Sequence, residues 1–214
     1  MIETLISEGL AGFAAQSPWE WLAAVLGMAY VWLAAKESAW CWPAAFLSTL
    51  IYTLLFWQGQ LPMQSLLNLY YLVMAVYGWQ QWQKGRHSPH DVEETLEISQ
   101  KSLRFHLAFV VVGATLSFIF GLWMQIEKLS IAPFLDASVT IFSVMTTYLM
   151  VKKVLENWLY WLVIDTAAII LYWQNGYYPT VLMFAVYLVI AGYGYIEWRK
   201  AFINARPPQP NSPH

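Results

Sequence analysis

The sequence has few charged residues and a single cysteine. Of its 214 residues, 11% are charged and 59% are hydrophobic, whereas soluble domains carry about 25% charged residues. A soluble protein this apolar could not cover its own surface with polar groups. The net charge of −2 offers no electrostatic footprint for nucleic acid. Cys41 has no second cysteine with which to form an intrachain disulfide.

Motifs for nucleotide hydrolysis and covalent catalysis are absent as well. The sequence contains no P-loop, no G-x-S-x-G and no H-E-x-x-H. It therefore predicts no ATPase, no hydrolase site and no cofactor or metal, and we expect a protein that is not an enzyme. Residues 1–18 contain Glu3 and Glu8 and no basic cluster, so they do not match a signal peptide. They are expected to form an interfacial helix or a mobile terminus.

Long apolar runs separated by turn residues dominate the chain. Crossing a bilayer takes about 20 apolar residues, and seven segments approach that length. They lie near 19–36, 39–57, 62–83, 105–126, 131–151, 156–174 and 178–199. A hydrophilic loop covers 84–104, and a hydrophilic tail covers 200–214. The expected fold class is therefore an all-α integral membrane protein with seven transmembrane helices.

The basic residues are distributed unevenly over the expected loops. With seven spans, ten of the eleven Lys and Arg residues fall on one face, and Lys128 falls on the other. The positive-inside rule places the basic face in the cytoplasm. We therefore expect a multi-pass protein of the cell (inner) membrane with its N-terminus outside and its C-terminus in the cytoplasm.

An internal duplication covers much of the apolar sequence. Fourteen residues between Lys36 and Lys84, three of them tryptophans, recur unchanged 116 positions later without a gap. Two three-helix bundles, at 19–83 and 131–199, are then joined by one linking helix at 105–126, which gives both bundles the same orientation. This predicts a 3+1+3 parallel repeat like that of SWEET-type sugar carriers, with the substrate site between the repeats.

Some repeated and some mismatched residues carry more specific expectations. Gly78 and Gly194 recur at equivalent positions and should allow close helix packing. Asp165 lies near the middle of the sixth span, and its repeat partner is the uncharged Thr49. A carboxylate there costs several kcal/mol unless it is paired or hydrated. We expect it to meet a substrate in a central cavity, and helix packing is the alternative.

Amide and aromatic residues add to this candidate site. Asn68 and Gln64 lie one turn apart on the third span and share a face. Trp158 and Trp161 form a W-x-x-W pair that follows Asn157 on the sixth span. Flat rings on one face can stack on a heteroaromatic ligand and attract a cation. Helix–helix hydrogen bonding is the alternative role for the amides, and interfacial anchoring is the alternative for the tryptophans.

Two stretches resemble a known family. Residues 68–82, with Tyr77-Gly78-Trp79-x-x-Trp82, look like the third helix of PnuC-type vitamin transporters. Residues 156–161 look like the W-x-x-W motif on the sixth helix of that family, and the resemblance extends over 19–200. It implies facilitated diffusion of nicotinamide riboside into the cytoplasm, drawn by later phosphorylation by a cytosolic kinase.

The resemblance also implies aromatic and amide residues in the binding cavity. They map onto Trp158, Trp161, Asn157 and Asn68, and the position of Asp165 belongs to the same site. The implied substrate is a small cationic heteroaromatic molecule, and thiamine or another vitamin precursor is the alternative within the family. A SWEET-type sugar carrier, a non-transporting membrane receptor and a membrane enzyme are the other readings. The oligomeric state, a homo-oligomer included, is left open.

Overall fold

The computed structural model describes residues 17–58, 62–83, 96–174, 176 and 178–205. These residues form seven α-helices, as the sequence predicts. They are α1 (Pro18–Ala35), α2 (Cys41–Gln58), α3 (Pro62–Gln83), α4 (Leu103–Ile126), α5 (Pro133–Val151), α6 (Asn157–Gln174) and α7 (Tyr178–Asn204). Their ends lie within two residues of the predicted spans except at the end of α7, which continues to Asn204.

Some expectations concern residues outside the described ranges. These are most of the N-terminal segment at 1–18, residues 84–95 of the hydrophilic loop, and residues 206–214 of the tail. The remainder of the hydrophilic loop, from residue 96 to the start of α4, is described. It is largely non-helical and pairs through Ser99 with Val154 in the α5–α6 turn.

The helices present an apolar surface. By length and hydropathy alone, three of the described segments could cross a bilayer, namely Leu103–Ile126, Pro133–Val151 and Thr180–Asn204. Large hydrophobic side chains are exposed on every described helix, and they are densest on α4, which packs mainly against α5. Contiguous exposed apolar surface of this extent is typical of proteins that face lipid.

The ends of α1 and α5 repeat the same turn. Glu37 and Lys153, which are 116 residues apart, both have positive φ angles, of 54° and 49°. The N–H of the following residue, Ser38 or Val154, donates to a carbonyl in the last turn of the helix. This is the Schellman motif, which satisfies backbone carbonyls at a helix C-terminus. The same turn also ends α4 at Lys128, so it agrees with the duplication without being specific to it.

Six of the helices form a closed ring of contacts. We call α1–α3 the first half and α5–α7 the second half. Within the halves, α2 packs on α1 and α3, and α6 packs on α5 and α7. Between the halves, α3 packs on α5, and α1 packs on α7. These two inter-half contacts are equivalents under the duplication, since α1 corresponds to α5 and α3 to α7.

A tryptophan lying on a glycine joins the second and third helices of each half. A Cβ atom added to Gly78 would lie 2.4 Å from the ring of Trp42, and one added to Gly194 would lie 2.8 Å from the ring of Trp158. Real Cβ atoms do not approach other atoms this closely, so glycine is what lets the ring lie against the backbone. The predicted packing role of both glycines is thus confirmed.

A second pair of tryptophans joins the two halves. The ring centroids of Trp82 and Trp198 are 6.0 Å apart, and each ring also meets the glycine-bound tryptophan of its own half edge-on. The indole N–H of Trp82 donates to the carbonyl of Val151 at 3.1 Å, and that of Trp198 donates to the carbonyl of Ala34 at 3.0 Å. Both bonds cross between halves, so the tryptophans form the centre of the shared core.

Replacing either packed glycine by alanine should destabilise the protein. We expect Gly78→Ala and Gly194→Ala each to cost about 1–3 kcal/mol, because the new methyl group overpacks against a buried indole ring. The measurement is thermal unfolding of the purified protein in detergent. Gly192→Ala on α7 is the matched control, since a Cβ there has no neighbour within 4 Å. Equal loss of stability in all three variants would contradict the packing role.

Candidate functional site

Three tyrosines lie near one another where the two halves meet. Tyr30 on α1, Tyr71 on α3 and Tyr187 on α7 are embedded deep in the protein, yet each keeps accessible surface. Both Tyr71 and Tyr187 lie within electrostatic range of Tyr30. From side chains that are deep and still accessible we infer a cavity between the halves, and concave sites between helices of a bundle are where small ligands bind.

Asp165, on α6, lies near one of these tyrosines. Its side chain is buried, with 3% of its surface exposed, and it lies within electrostatic range of Tyr187. Its repeat partner Thr49 is satisfied within its own helix, because the hydroxyl donates to the carbonyl of Ala45 at 2.8 Å. One half therefore presents a carboxylate where the other presents a hydroxyl bonded to its own helix.

A second asymmetry concerns the two equivalent tyrosines, Tyr71 and Tyr187. Tyr71 makes a side-chain hydrogen bond with Ser143 of the opposite half. The repeat partner of Ser143 is Gly27, and a Cβ added to Gly27 would lie 2.8 Å from the hydroxyl oxygen of Tyr187. The first tyrosine is thus held by a serine, whereas the second fits into the space left by a glycine, on the side where Asp165 lies.

The two tryptophans of the predicted W-x-x-W pair differ in burial. Trp158 has no accessible surface, because its ring lies on Gly194 and meets Trp198 edge-on at 5.5 Å. Trp161 is half-buried and packs at the edge of the same core. It lies one turn before Asp165, so the two share a face of α6. In this conformation Trp161 is the tryptophan that a molecule in the cavity could touch.

Asn157 begins α6 and is fully buried. Its Nδ2 donates to the carbonyl of Val154 at 2.6 Å. Within the described part of the chain, its Oδ1 and the indole N–H of Trp158 are buried without a hydrogen-bond partner. Leaving a buried polar atom unpaired costs about 1–3 kcal/mol, and such atoms call for a functional explanation. The unpaired indole recurs at Trp42, so the oxygen of Asn157 is the more distinctive of the two.

The amides on α3 lie on a different wall. Asn68 is half-buried, and it lies one turn before the cavity tyrosine Tyr71, so the two share a face. The side chain of Gln64 lies outside the described residues. Helices α3 and α6 do not pack directly on each other among the described elements. Asn68 and Asp165 therefore lie on helices that do not contact each other.

The tyrosines themselves were missed as site residues by sequence reasoning. Tyr71 and Tyr187 are identical in the duplication, and identity at repeat positions indicates scaffold. The available signal was the mismatch between Gly27 and Ser143, which lies before the segment of strongest repeat identity. The different surroundings of identical tyrosines become visible only when the opposite half is packed against them.

A separate cavity lies at the end of the bundle where Lys36, Lys152 and Lys153 cluster, which we call the basic end. Its volume is about 680 Å³, and its lining includes Glu97, Lys101 and Lys152. Of the predicted site residues whose side chains the structure describes, none lines it, so it is distinct from the candidate site. Among the described residues, no group of three His, Cys, Asp or Glu side chains is placed to hold a metal ion.

Comparison with known proteins adds independent findings. The family model described as nicotinamide mononucleotide transporter matches residues 17–200. The chain is 25% identical over 174 residues to the riboflavin/roseoflavin transporter RibM of Streptomyces davaonensis, covering 81% of each chain. It is 29% identical over 198 residues to the nicotinamide riboside transporter PnuC of Neisseria mucosa, covering 86% of this chain and 74% of the relative.

Two further relatives extend the comparison. The nicotinamide riboside transporter PnuC of Escherichia coli is 24% identical over 203 residues, covering 83% of this chain and 84% of the relative. A solved structure, the crystal structure of the vitamin B3 transporter PnuC, superposes with a TM-score of 0.71 over 96% of this chain and 91% of that chain. Its sequence identity is 23%, so this similarity establishes the fold.

A double-mutant cycle can test the fit of Tyr187 against Gly27. We expect Gly27→Ala to cost about 1 kcal/mol, because the methyl group displaces the tyrosine hydroxyl. In a Tyr187→Phe background there is no hydroxyl to clash with. Gly27→Ala should then raise the free energy of unfolding by up to about 1 kcal/mol, because alanine has a better helix propensity than glycine. Melting temperatures of the four proteins measure the coupling. Additive effects would show that the hydroxyl does not lie against Gly27.

Proposed function

Because the chain belongs to the nicotinamide mononucleotide transporter family, it is a multi-pass membrane transporter and not an enzyme, and we propose that it carries nicotinamide riboside into the cytoplasm by facilitated diffusion. Family membership sets aside the membrane-enzyme reading. Two relatives named as nicotinamide riboside transporters support the substrate. The observation that carries the proposal is the buried carboxylate of Asp165 beside the aromatic lining of a cavity.

The proposed architecture is a 3+1+3 parallel repeat, with α4 as the linking helix. Its support is that the two inter-half helix contacts and the two Trp–Gly contacts recur at equivalent positions. In this arrangement the substrate site lies near the bilayer midplane between two three-helix halves, and transport is a rocking of one half against the other.

Substrate recognition would combine charge and stacking. Nicotinamide riboside carries a positively charged aromatic ring and a ribose. A carboxylate in an apolar interior favours a cation, and an aromatic face attracts a cationic ring by about 2 kcal/mol or more when water is excluded. We assign the ring to Trp161 and Asp165, and the carboxamide and ribose hydroxyls to Asn68 and Gln64 on the facing wall.

Trp158 and Asn157 lie beneath the proposed site, at the start of α6. Both are fully buried in this conformation, and Trp158 is held there by Gly194 and Trp198 of its own half. When one half rocks against the other, these contacts within a half are kept. We therefore assign Trp158 and Asn157 to positioning the start of α6, which carries Trp161 and Asp165.

Riboflavin is the second candidate substrate, because a relative named as a riboflavin/roseoflavin transporter matches 81% of the chain. Its ring system is larger and uncharged, so it offers no partner for the Asp165 carboxylate. Thiamine, which also carries a cationic heteroaromatic ring, is the further alternative from the sequence. Charge therefore separates riboflavin from the other two, and ring size and side groups separate nicotinamide riboside from thiamine.

The orientation and energetics belong to the proposal as well. We place the basic end in the cytoplasm, the N-terminus outside and the C-terminus inside, following the positive-inside rule. The sequence has no ATPase motif, so net uptake would be drawn by a cytosolic kinase that phosphorylates the substrate. The proposal leaves the oligomeric state open.

Uptake into proteoliposomes tests the substrate. The purified protein should accumulate labelled nicotinamide riboside to equilibrium, faster than empty liposomes, without ATP and without a proton or sodium gradient. Thiamine and riboflavin are measured in parallel. Ligand binding without flux would identify a receptor, and faster entry of riboflavin than of nicotinamide riboside would replace the proposed substrate. Competition by glucose would favour a sugar carrier.

Two substitutions on α6 should weaken binding by different mechanisms. Trp161→Ala should reduce the affinity for nicotinamide riboside about 30-fold, because about 2 kcal/mol of cation–π attraction is lost. Trp173→Ala, at an exposed tryptophan of the same helix, is the control and should retain affinity.

Asp165→Asn should lower the affinity for nicotinamide riboside about tenfold or more and leave the affinity for riboflavin nearly unchanged. Calorimetric titration of folded variants measures these changes, and unchanged affinity in Trp161→Ala would assign that residue to packing.

A further inference from the structure

Lysine–tyrosine contacts hold the two halves together in a duplicated pair at the basic end. Lys36 of the first half donates a hydrogen bond to the hydroxyl of Tyr193 in the second half, with its ammonium group 4.8 Å from the ring centroid. Lys152 of the second half lies 5.1 Å from the ring centroid of Tyr77 in the first half. The two lysines are repeat partners, and so are the two tyrosines. We call these contacts the two clamps.

An ion pair lies between the clamps. The Nζ of Lys153 is 3.1 Å from an Oε of Glu37, and the two residues are repeat partners. When equivalent residues of two halves contact each other, they must lie at the axis that relates the halves. The Lys153 ammonium group also lies 4.8 Å from the ring centroid of Trp82. This axial pair is thus packed on Trp82, one of the two tryptophans that form the centre of the shared core.

The clamps lie a fixed distance from the candidate site. Tyr71 and Tyr187 each precede a clamp tyrosine by six residues on the same helix, and Tyr30 precedes Lys36 by six. Six helical residues rise about 9 Å. The clamps and the axial pair therefore form a layer about 9 Å from the cavity tyrosines, toward the basic end. A molecule leaving the cavity in that direction has to pass between the halves at this layer.

The charged lysines hold this layer closed and also allow it to open. The hydrogen bond to Tyr193 raises the pKa of Lys36, and that to Tyr77 raises the pKa of Lys152. Both lysines are therefore charged at neutral pH, and proton release near neutrality is not what opens the layer. Each contact bridges the halves through long side chains, so separation of the halves breaks all three together and returns the charged groups to water.

We propose that the two clamps and the axial Glu37–Lys153 pair are the gate that closes the substrate path at the basic end. This inference rests on the proposed transport function and on the proposed orientation for its cytoplasmic placement. Opening requires the first and second halves to separate at this layer. Because the contacts come in equivalent pairs, either half can contribute the acid or the base of the axial pair without changing the geometry.

The chain contains its own reporter for this gate. Cys41, its one cysteine, is fully buried in the same core, within electrostatic range of Lys153. Because Lys153 of the opposite half lies near it, we expect opening of the gate to expose its thiol. The rate at which a small maleimide alkylates Cys41 in the detergent-purified, full-length protein therefore measures how often the gate opens.

Exchanging the two charges of the axial pair is the decisive test. Glu37→Gln should raise the alkylation rate of Cys41 about fivefold or more. The double variant Glu37→Lys/Lys153→Glu should return the rate to that of the unmodified protein, because the swapped lysine lies at the repeat-equivalent position and has Trp198 where Lys153 has Trp82. Lys128→Gln, which removes an exposed charge just beyond the end of α4, is the control and should leave the rate unchanged.

A second pair of variants tests the gate independently if the charge exchange impairs folding. Tyr77→Phe and Tyr193→Phe each remove one clamp hydroxyl and keep the ring, so each should raise the rate by a similar, smaller factor at an unchanged melting temperature. An unchanged rate in both, and in Glu37→Gln, would overturn the gate. If the unmodified protein shows uptake but none of the gate variants changes the alkylation rate of Cys41, the gate is refuted and transport is not. If the alkylation rate of Cys41 responds to the charge exchange as expected but the unmodified protein shows no uptake, transport is refuted and the closure between the halves is supported.

Discussion

An indole ring lying on a glycine backbone is the contact on which the rest of this bundle depends. It occurs twice, as Trp42 on Gly78 and Trp158 on Gly194, and it sets how closely the second and third helices of each half approach. Each of these rings meets a further tryptophan edge-on, and the two further tryptophans, Trp82 and Trp198, meet each other between the halves. Without the glycines this stack would have no room.

Duplication and divergence have separate roles in this structure. The repeated residues build the scaffold, namely the helix-end turns, the Trp–Gly contacts and the clamps at the basic end. Two of the positions that differ belong to the proposed site, where Asp165 stands opposite Thr49 and Gly27 stands opposite Ser143. Burying a carboxylate among apolar helices costs several kcal/mol, and a cationic substrate would offset that cost when it binds. Such a site is consistent with a transporter whose empty cavity is less stable than its loaded one.

The sequence predicts the helices well, because apolar runs bounded by Gly, Pro and polar turns leave few alternatives for their ends. It also singles out Asp165 and Trp161 as candidate site residues, since a charge and a flat ring one turn apart stand out in an apolar span, and their role in binding stays a prediction. Periodicity cannot show that Trp158 is fully buried, because the covering groups, Gly194 and Trp198, lie on another helix. The clamps are equally hidden, since Lys36 and Tyr193 are 157 residues apart and only inter-half packing brings them together.

The central claim is that a buried carboxylate selects a positively charged aromatic ring. The most direct measurement compares binding of nicotinamide riboside with binding of its reduced, dihydropyridine form, which has nearly the same shape and no ring charge. Calorimetric titration of the purified protein should show the charged form binding about tenfold or more tightly, because one charge interaction in a desolvated site is worth at least 1.4 kcal/mol. Equal affinities for the two forms would contradict the account.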